Sequence, residues 1–112
     1  MKIYHLKTCD TCRKAIKAIQ AAGYTPDLID VRADGVPSAD LAKIVKVVGW
    51  ETLLNTRSTT WRGLDDGDKT DMDAEKAKAL MTKHPTLIKR PVIVDEDKMT
   101  VGWKADQQAA WL

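Results

Sequence analysis

Lys2-Ile3-Tyr4-His5-Leu6-Lys7-Thr8-Cys9-Asp10-Thr11-Cys12-Arg13-Lys14-Ala15-Ile16 is the stretch whose reading decides the fold. Lys2 to Leu6 alternates and carries Ile3 and Tyr4, residue types that suit a pleated, half-buried surface, so it reads as a short strand. Lys7-Thr8-Cys9-Asp10 is a loop. From about Thr11 to Ala22 the apolar residues Ala15, Ile16, Ile19 and Ala22 recur at helical spacing. Gly23 follows where a helix C-terminus calls for left-handed backbone. Pro26 leads into a second strand, Leu28-Ile29-Asp30-Val31. A strand, a crossover helix of this length and a strand form a unit whose two strands run parallel.

Working outward, Pro37-Ser38-Ala39-Asp40 is a helix start with Ser38 as the expected N-cap. Leu41, Ile44, Val45 and Val48 give that helix its apolar stripe, and Gly49 ends it. A short helix is expected over Trp50 to Leu54, and a loop over Asn55 to Asp68, where Gly63 and Gly67 act as breakers. A further helix is expected from about Asp71 to Lys83, stopped by His84-Pro85. Pro91-Val92-Ile93-Val94 reads as a strand, Glu96-Asp97 as a turn and Lys98 to Trp103 as the returning strand of an antiparallel hairpin. Asp106 is the expected cap of a last helix ending at Trp111-Leu112. The order β-α-β, helices, β-β-α predicts one α/β domain over residues 1–112. Its thioredoxin-like fold carries a helical segment at about 35–84, inserted between the parallel strand pair and the C-terminal hairpin.

Composition bounds what such a domain does. A chain of 112 residues with 44% hydrophobic and 30% charged residues is an ordinary globular composition. A net charge of +2 is too near balance to point to a nucleic-acid partner. No apolar run approaches the roughly 20 residues that cross a bilayer. Met1-Lys2-Ile3-Tyr4-His5 lacks the apolar core of a secretion signal, so a cytoplasmic location is expected. Thiols are kept reduced there, and two cysteines three positions apart then suggest chemistry or metal rather than a structural staple.

Cys9 stands just before a helix and Cys12 in its first turn, where unpaired backbone N–H groups and the helix dipole favour a thiolate. Residues three apart share one side of that turn, so the pair can close a small disulfide with little rearrangement. Arg13 and Lys14 add positive charge. This permits attack by Cys9 on a disulfide or oxidised substrate, with Cys12 resolving the mixed disulfide. Two other readings stand beside it. The pair is half of a zinc site, for which the chain offers only His5 and His84 as further nitrogen ligands. Or both cysteines are inert core residues.

Four blocks of sequence resemble one family. They are Ile3-Tyr4-His5 with Cys9-Asp10-Thr11-Cys12-Arg13-Lys14-Ala15; Gly49-Trp50-Glu51-Thr52-Leu53-Leu54-Asn55-Thr56-Arg57-Ser58-Thr59-Thr60-Trp61-Arg62; His84-Pro85-Thr86-Leu87-Ile88-Lys89-Arg90-Pro91-Val92-Ile93; and Val101-Gly102-Trp103. Together they resemble the glutaredoxin-type arsenate reductase (ArsC) family. It includes the arsenate reductases, the YffB-type thiol reductases and the Spx transcription regulators, and the second block is most like YffB. The resemblance implies that Cys9 is the nucleophile, that Arg57 and Arg90 are anion-binding arginines, and that Pro91 is the cis-proline facing the reactive cysteine. Thr11 and His5 join Arg57, Arg90 and Pro91 as implied substrate- or glutathione-binding positions.

Guanidinium forks bind oxyanions and carboxylates through paired hydrogen bonds, and beside a thiol they favour its ionised form. Read without the family, Arg57 is a solvated loop residue, and His5 either tunes the thiolate or binds backbone at a strand end. The four tryptophans read as core and rim packing. Trp61, near Arg57 and Arg62, has the alternative of lining a glutathione groove. Asp65-Asp66-Gly67-Asp68-Lys69 reads as a solvated loop.

The sequence departs from the arsenate reductases in two places. Gly102-Trp103-Lys104-Ala105 stands where they carry a third arginine, and Cys12 stands where the bacterial enzymes usually have serine. Both argue against arsenate as substrate. The resemblance implies instead a thiol–disulfide oxidoreductase with glutathione as reductant, and a monomer with no bound cofactor or metal is expected. Its partners would be glutathione, a small oxidised thiol or oxyanion, or a protein mixed disulfide. The alternative is an Spx-like redox sensor that binds RNA polymerase.

Overall fold

The computed structural model describes every residue, 1–112, in two compact units: Met1–Asp34 with Arg90–Leu112, and Gly35–Lys89.

The first unit is built on a four-stranded sheet. Strand β1 (Lys2–His5) pairs in parallel with β2 (Asp27–Asp30), with Ile3 opposite Leu28 and His5 opposite Asp30. The expected strand end at Leu6 moves back one residue because the Leu6 carbonyl turns to accept the Cys9 N–H at 2.9 Å. Between the two strands runs α1 (Asp10–Ala21). Its buried face is Cys12, Ala15 and Ile19, while Ala22, expected on that face, is exposed. At its end the Gly23 N–H donates to Gln20 O and the Tyr24 N–H to Ile19 O, the pairing that left-handed Gly23, at φ +98°, makes possible.

In the second unit, α2 (Ser38–Val48) buries Leu41, Ile44 and Val45 against α6 (Ala74–Lys83), which buries Ala77, Leu80 and Met81. Between them lie α3 (Trp50–Leu53), α4 (Thr59–Arg62) and α5 (Asp66–Lys69). The last two are single turns inside the expected loop. A 3-10 turn, Pro85–Leu87, follows α6, and Ile88 bridges Leu54.

Two expected helix starts are displaced. Ser38 is already helical, so Pro37 occupies the cap and the serine hydroxyl caps nothing. Asp71 has φ +51°, outside the helix, and Asp73 caps α6 instead, accepting from Lys76 N at 2.8 Å.

The chain then re-enters the first unit. The Arg90–Pro91 bond is cis. Strand β3 (Val92–Asp95) pairs antiparallel with β1 and with β4 (Lys98–Val101), giving the strand order β2-β1-β3-β4. Strand β4 stops short of the expected Trp103 because Gly102 turns the chain at φ +92°. Helix α7 (Ala105–Trp111) is capped from Lys104, whose N–H donates to Gln107 Oε1 at 2.8 Å; Asp106, the expected cap, lies within the first turn. Ile3, Ile19, Ile93 and Trp111 form the core of this unit, with Ile16 and Tyr24 packed against it. The sheet thus carries α1, and with it Cys9 and Cys12, on a buried apolar face.

Candidate functional site

Cys9 is the N-cap of α1, with extended backbone at φ −90° and ψ 110°. Its Sγ accepts the Cys12 N–H at 3.3 Å, serving one of the backbone donors that a helix start leaves unpaired. Sulfur takes the place here that a serine or aspartate oxygen fills in most caps. Cys9 is half-buried, Cys12 has no solvent contact, and both are free thiols. The Cys12 thiol is pushed up to about 12, first by burial and next by its hydrogen bond with the Cys9 side chain. A backbone hydrogen bond from Leu6 and the positive charge of Arg90 pull the other way. Cys12 therefore keeps its proton at neutral pH, and Cys9 is the sulfur a solute can reach. Arg13 spends its charge on Asp10 at 2.9 Å, an exposed pair, rather than adding an unpaired cation beside Cys9.

The segment that delivers Cys9 is held from below by Asp30. This buried carboxylate accepts Lys7 N at 3.2 Å through Oδ2, and Arg32 N at 2.9 Å and Ala33 N at 3.0 Å through Oδ1. The Ala33 N–H is the largest influence holding its pKa below the usual 3.8, burial opposes it, and the other two N–H groups and the charge of His5 reinforce it. His5, at the end of β1, is buried and in register with Asp30, and its charge bears on this carboxylate. Reading the sequence alone missed Asp30. Its signal was there: a strand-terminal Asp followed by Arg32-Ala33-Asp34-Gly35 is placed to accept N–H groups two and three residues on.

Pro91 is fully buried, and its carbonyl accepts the Gly102 N–H at 2.9 Å. Arg90, half-buried, stands within electrostatic reach of Cys12. Thr11 is exposed in the first turn of α1. The first unit thus contains Cys9, Cys12, Thr11, His5, Arg90 and Pro91.

Arg57 belongs to the second unit. Its side chain is exposed, yet its backbone is fixed. Asn55 Oδ1 accepts the Arg57 N–H at 3.0 Å, Ser58 Oγ donates to Asn55 O at 3.2 Å and accepts from Trp61 N at 3.1 Å, and Arg62 Nη2 donates to Arg57 O at 3.2 Å. The loop that carries Arg57 is a hydrogen-bonded turn at the head of α4, with the guanidinium in solvent. Asn55 and Ser58, which build that turn, were also missed, though Asn-Thr-Arg-Ser is the sequence of an Asn-initiated turn running into a serine cap. Half-buried Trp61 carries Lys69 Nζ 5.9 Å from its ring centre. No three His, Cys, Asp or Glu side chains come together as a metal site, and no helix is long and apolar enough to cross a membrane.

The model of the ArsC family matches residues 4–111. The chain belongs to the ArsC family. A solved structure of the YFFB protein is 38% identical and superposes with a TM-score of 0.92, covering 99% of this chain and 97% of that one. An arsenate reductase (ArsC) related protein from Brucella melitensis is 35% identical with a TM-score of 0.74, over 98% of this chain and 92% of that one. The global transcriptional regulator Spx of Streptococcus mutans is 27% identical over 107 residues, 94% of this chain and 77% of that protein. The sheet and helices described above are thus the thioredoxin-like fold of ArsC-family thiol reductases.

Proposed function

We propose that this ArsC-family protein is a thiol–disulfide oxidoreductase in which Cys9 is the nucleophile and Cys12 the resolving thiol, with glutathione as reductant. The observation that carries the reading is the Cys9 Sγ at the head of α1, accepting the Cys12 N–H at 3.3 Å while Cys12 lies out of solvent. Attack by the Cys9 thiolate on a disulfide RSSR breaks the S–S bond, forms a Cys9 mixed disulfide and releases one thiolate, which takes a proton from water. Two of the influences that hold the proton on Cys12, its hydrogen bond with Cys9 and the repulsion between the two sulfurs, end once Cys9 is in a disulfide. Arg90 then favours the Cys12 thiolate, which attacks Cys9 and releases the second thiol. Two glutathione molecules return the resulting disulfide to two thiols and leave oxidised glutathione. Arg57, Arg90, Pro91, Thr11 and His5 are assigned to holding the anionic and extended parts of the substrate.

The test is turnover of a glutathione mixed disulfide. Cys9→Ser abolishes it, and Cys12→Ser retains a monothiol reaction. Equal rates for the wild type and Cys9→Ser overturn the reading. The similarity to a protein named a global transcriptional regulator supports a second reading, a redox switch that binds a protein partner. Recovery of RNA polymerase with the oxidised wild type, and its loss in Cys9→Ser, would favour that reading over catalysis.

A further inference from the structure

An open pocket of about 430 Å³ lies where the parallel strands β1 and β2 end, lined by Leu6, Lys7, Thr8, Asp30, Arg32 and Ala33. The carboxyl ends of parallel strands are where α/β sheets leave room for ligands, and this volume suits a small molecule. One wall is the segment that runs directly into Cys9: Thr8 is its neighbour in the chain, and Lys7 stands one residue before that. Consecutive Cα atoms are about 3.8 Å apart, so a disulfide under attack at Cys9 has its non-reacting arm within reach of this wall.

The charges in the pocket are unequal. Lys7 and Arg32 are exposed cations, and neither takes part in the ion pairs Met1–Asp95, Arg13–Asp10 and Lys78–Glu75. Asp30 is the one acidic lining residue, and both its oxygens already accept backbone N–H groups. An arriving carboxylate therefore meets two cations and one anion, three of whose roughly four acceptor positions are taken by backbone N–H groups. A neutral arm meets only Leu6, Ala33 and the stems of the long side chains, and a cationic arm is repelled. We infer that the pocket binds a carboxylate on the non-reacting arm of the substrate, which makes the substrate class disulfides of small acidic thiols. The inference rests on the proposed attack by Cys9.

The experiment measures the rate at which the reduced protein releases thiol from three symmetric disulfides. The probes are 3,3′-dithiodipropionate (anionic), bis(2-hydroxyethyl) disulfide (neutral) and cystamine (cationic), each rate divided by that of the same disulfide with free 1-thioglycerol, a neutral thiol that none of the three releases. The wild type prefers the anionic probe over the neutral one by on the order of tenfold, less at high salt. Lys7→Gln/Arg32→Gln removes that preference by lowering the anionic rate far more than the neutral one, whereas Lys14→Gln keeps it. Equal normalised rates in the wild type, or a preference surviving in the double variant, overturn the pocket assignment while leaving Cys9 chemistry intact. Failure of all three probes to react with the wild type overturns both.

Discussion

The Lys7 N–H donates to Asp30 Oδ2 at 3.2 Å, a bond that spans 23 residues of sequence and ties the loop before Cys9 to the end of β2. The same carboxylate holds the turn that follows through Arg32 N and Ala33 N. Asparagine at this position has one acceptor oxygen instead of two. It can keep the bonds made at Oδ1, but its amide N–H₂ faces the Lys7 N–H donor to donor. Asp30→Asn is expected to cost about 2 kcal/mol of stability at pH 7, a typical loss for a buried hydrogen bond to a charged group. It should also slow alkylation of Cys9 and raise amide exchange at Lys7. Urea unfolding and hydrogen exchange check this.

Because the Asp30 pKa lies below its unfolded value of 3.8, its ionised form stabilises the fold. That contribution is fully present above pH 3.8 and is lost as pH falls through the folded pKa. The stability gap between the wild type and Asp30→Asn therefore closes as pH falls below that point. A gap that persists undiminished in stronger acid would contradict the assignment.

The positions that escaped sequence reading share one property: their partners are distant or their elements are short. Helix α1 was legible because Ala15, Ile16 and Ile19 repeat at helical spacing and Gly23 marks the end. The hairpin was legible because Val92-Ile93-Val94 is β-branched and a turn follows. Helices α4 and α5, of four residues each, are too short to show a stripe. Gly63, read as a breaker, ends α4, but Gly67 lies inside α5. Ser38 and Asp106 are good cap residues one or more positions from where the chain enters the helix. A cap is decided by local φ and ψ, and tertiary packing sets those. Cys9 and Cys12 were legible because a cysteine pair across a strand–helix junction is a local pattern. Asp30 is functional only through Lys7, and nothing local announces a partner that far away.

Cys12 gives an alkaline counterpart to Asp30. Its thiol is pushed from 9.0 to about 12, so the fold favours the protonated form. That stabilisation is fully present below pH 9 and is lost as pH rises from 9 toward 12. The limiting slope is about 1.4 kcal/mol per pH unit. The reduced wild type should lose stability relative to Cys12→Ala across that window, with a constant difference below it. Denaturant unfolding of both proteins at matched pH measures this, and parallel curves above pH 9 would exclude a buried thiol.

Gly23 offers a test of backbone conformation with packing held constant. Its φ is +98°, and a Cβ built there meets nothing within 4 Å. Gly23→Ala thus adds no clash with neighbours and only the strain of a Cβ in left-handed backbone, so a cost of about 1 kcal/mol is expected. Asn, which tolerates left-handed backbone better, should cost less than Ala. The comparison of the two variants by thermal unfolding separates backbone strain from any contact effect.

Trp111 closes the first unit, and its anchoring is divisible. The indole Nε1 donates to Thr100 Oγ1 at 2.8 Å, and the Tyr24 hydroxyl donates to Trp111 O at 3.0 Å. The Tyr24 and Trp111 rings meet edge to face at 6.4 Å, and Lys98 Nζ stands 4.3 Å from the centre of the indole ring. Thr100→Val keeps the volume but leaves a buried indole donor unmatched, which should cost about 1–3 kcal/mol. Trp111→Phe removes donor and acceptor need together, so beyond the lost ring area it incurs no such penalty. Adding Thr100→Val to Trp111→Phe should then cost much less than in the wild-type background. A double-mutant cycle by denaturant unfolding measures that difference. Strict additivity would mean that the hydrogen bond contributes nothing and that the aromatic packing alone holds α7 on the sheet.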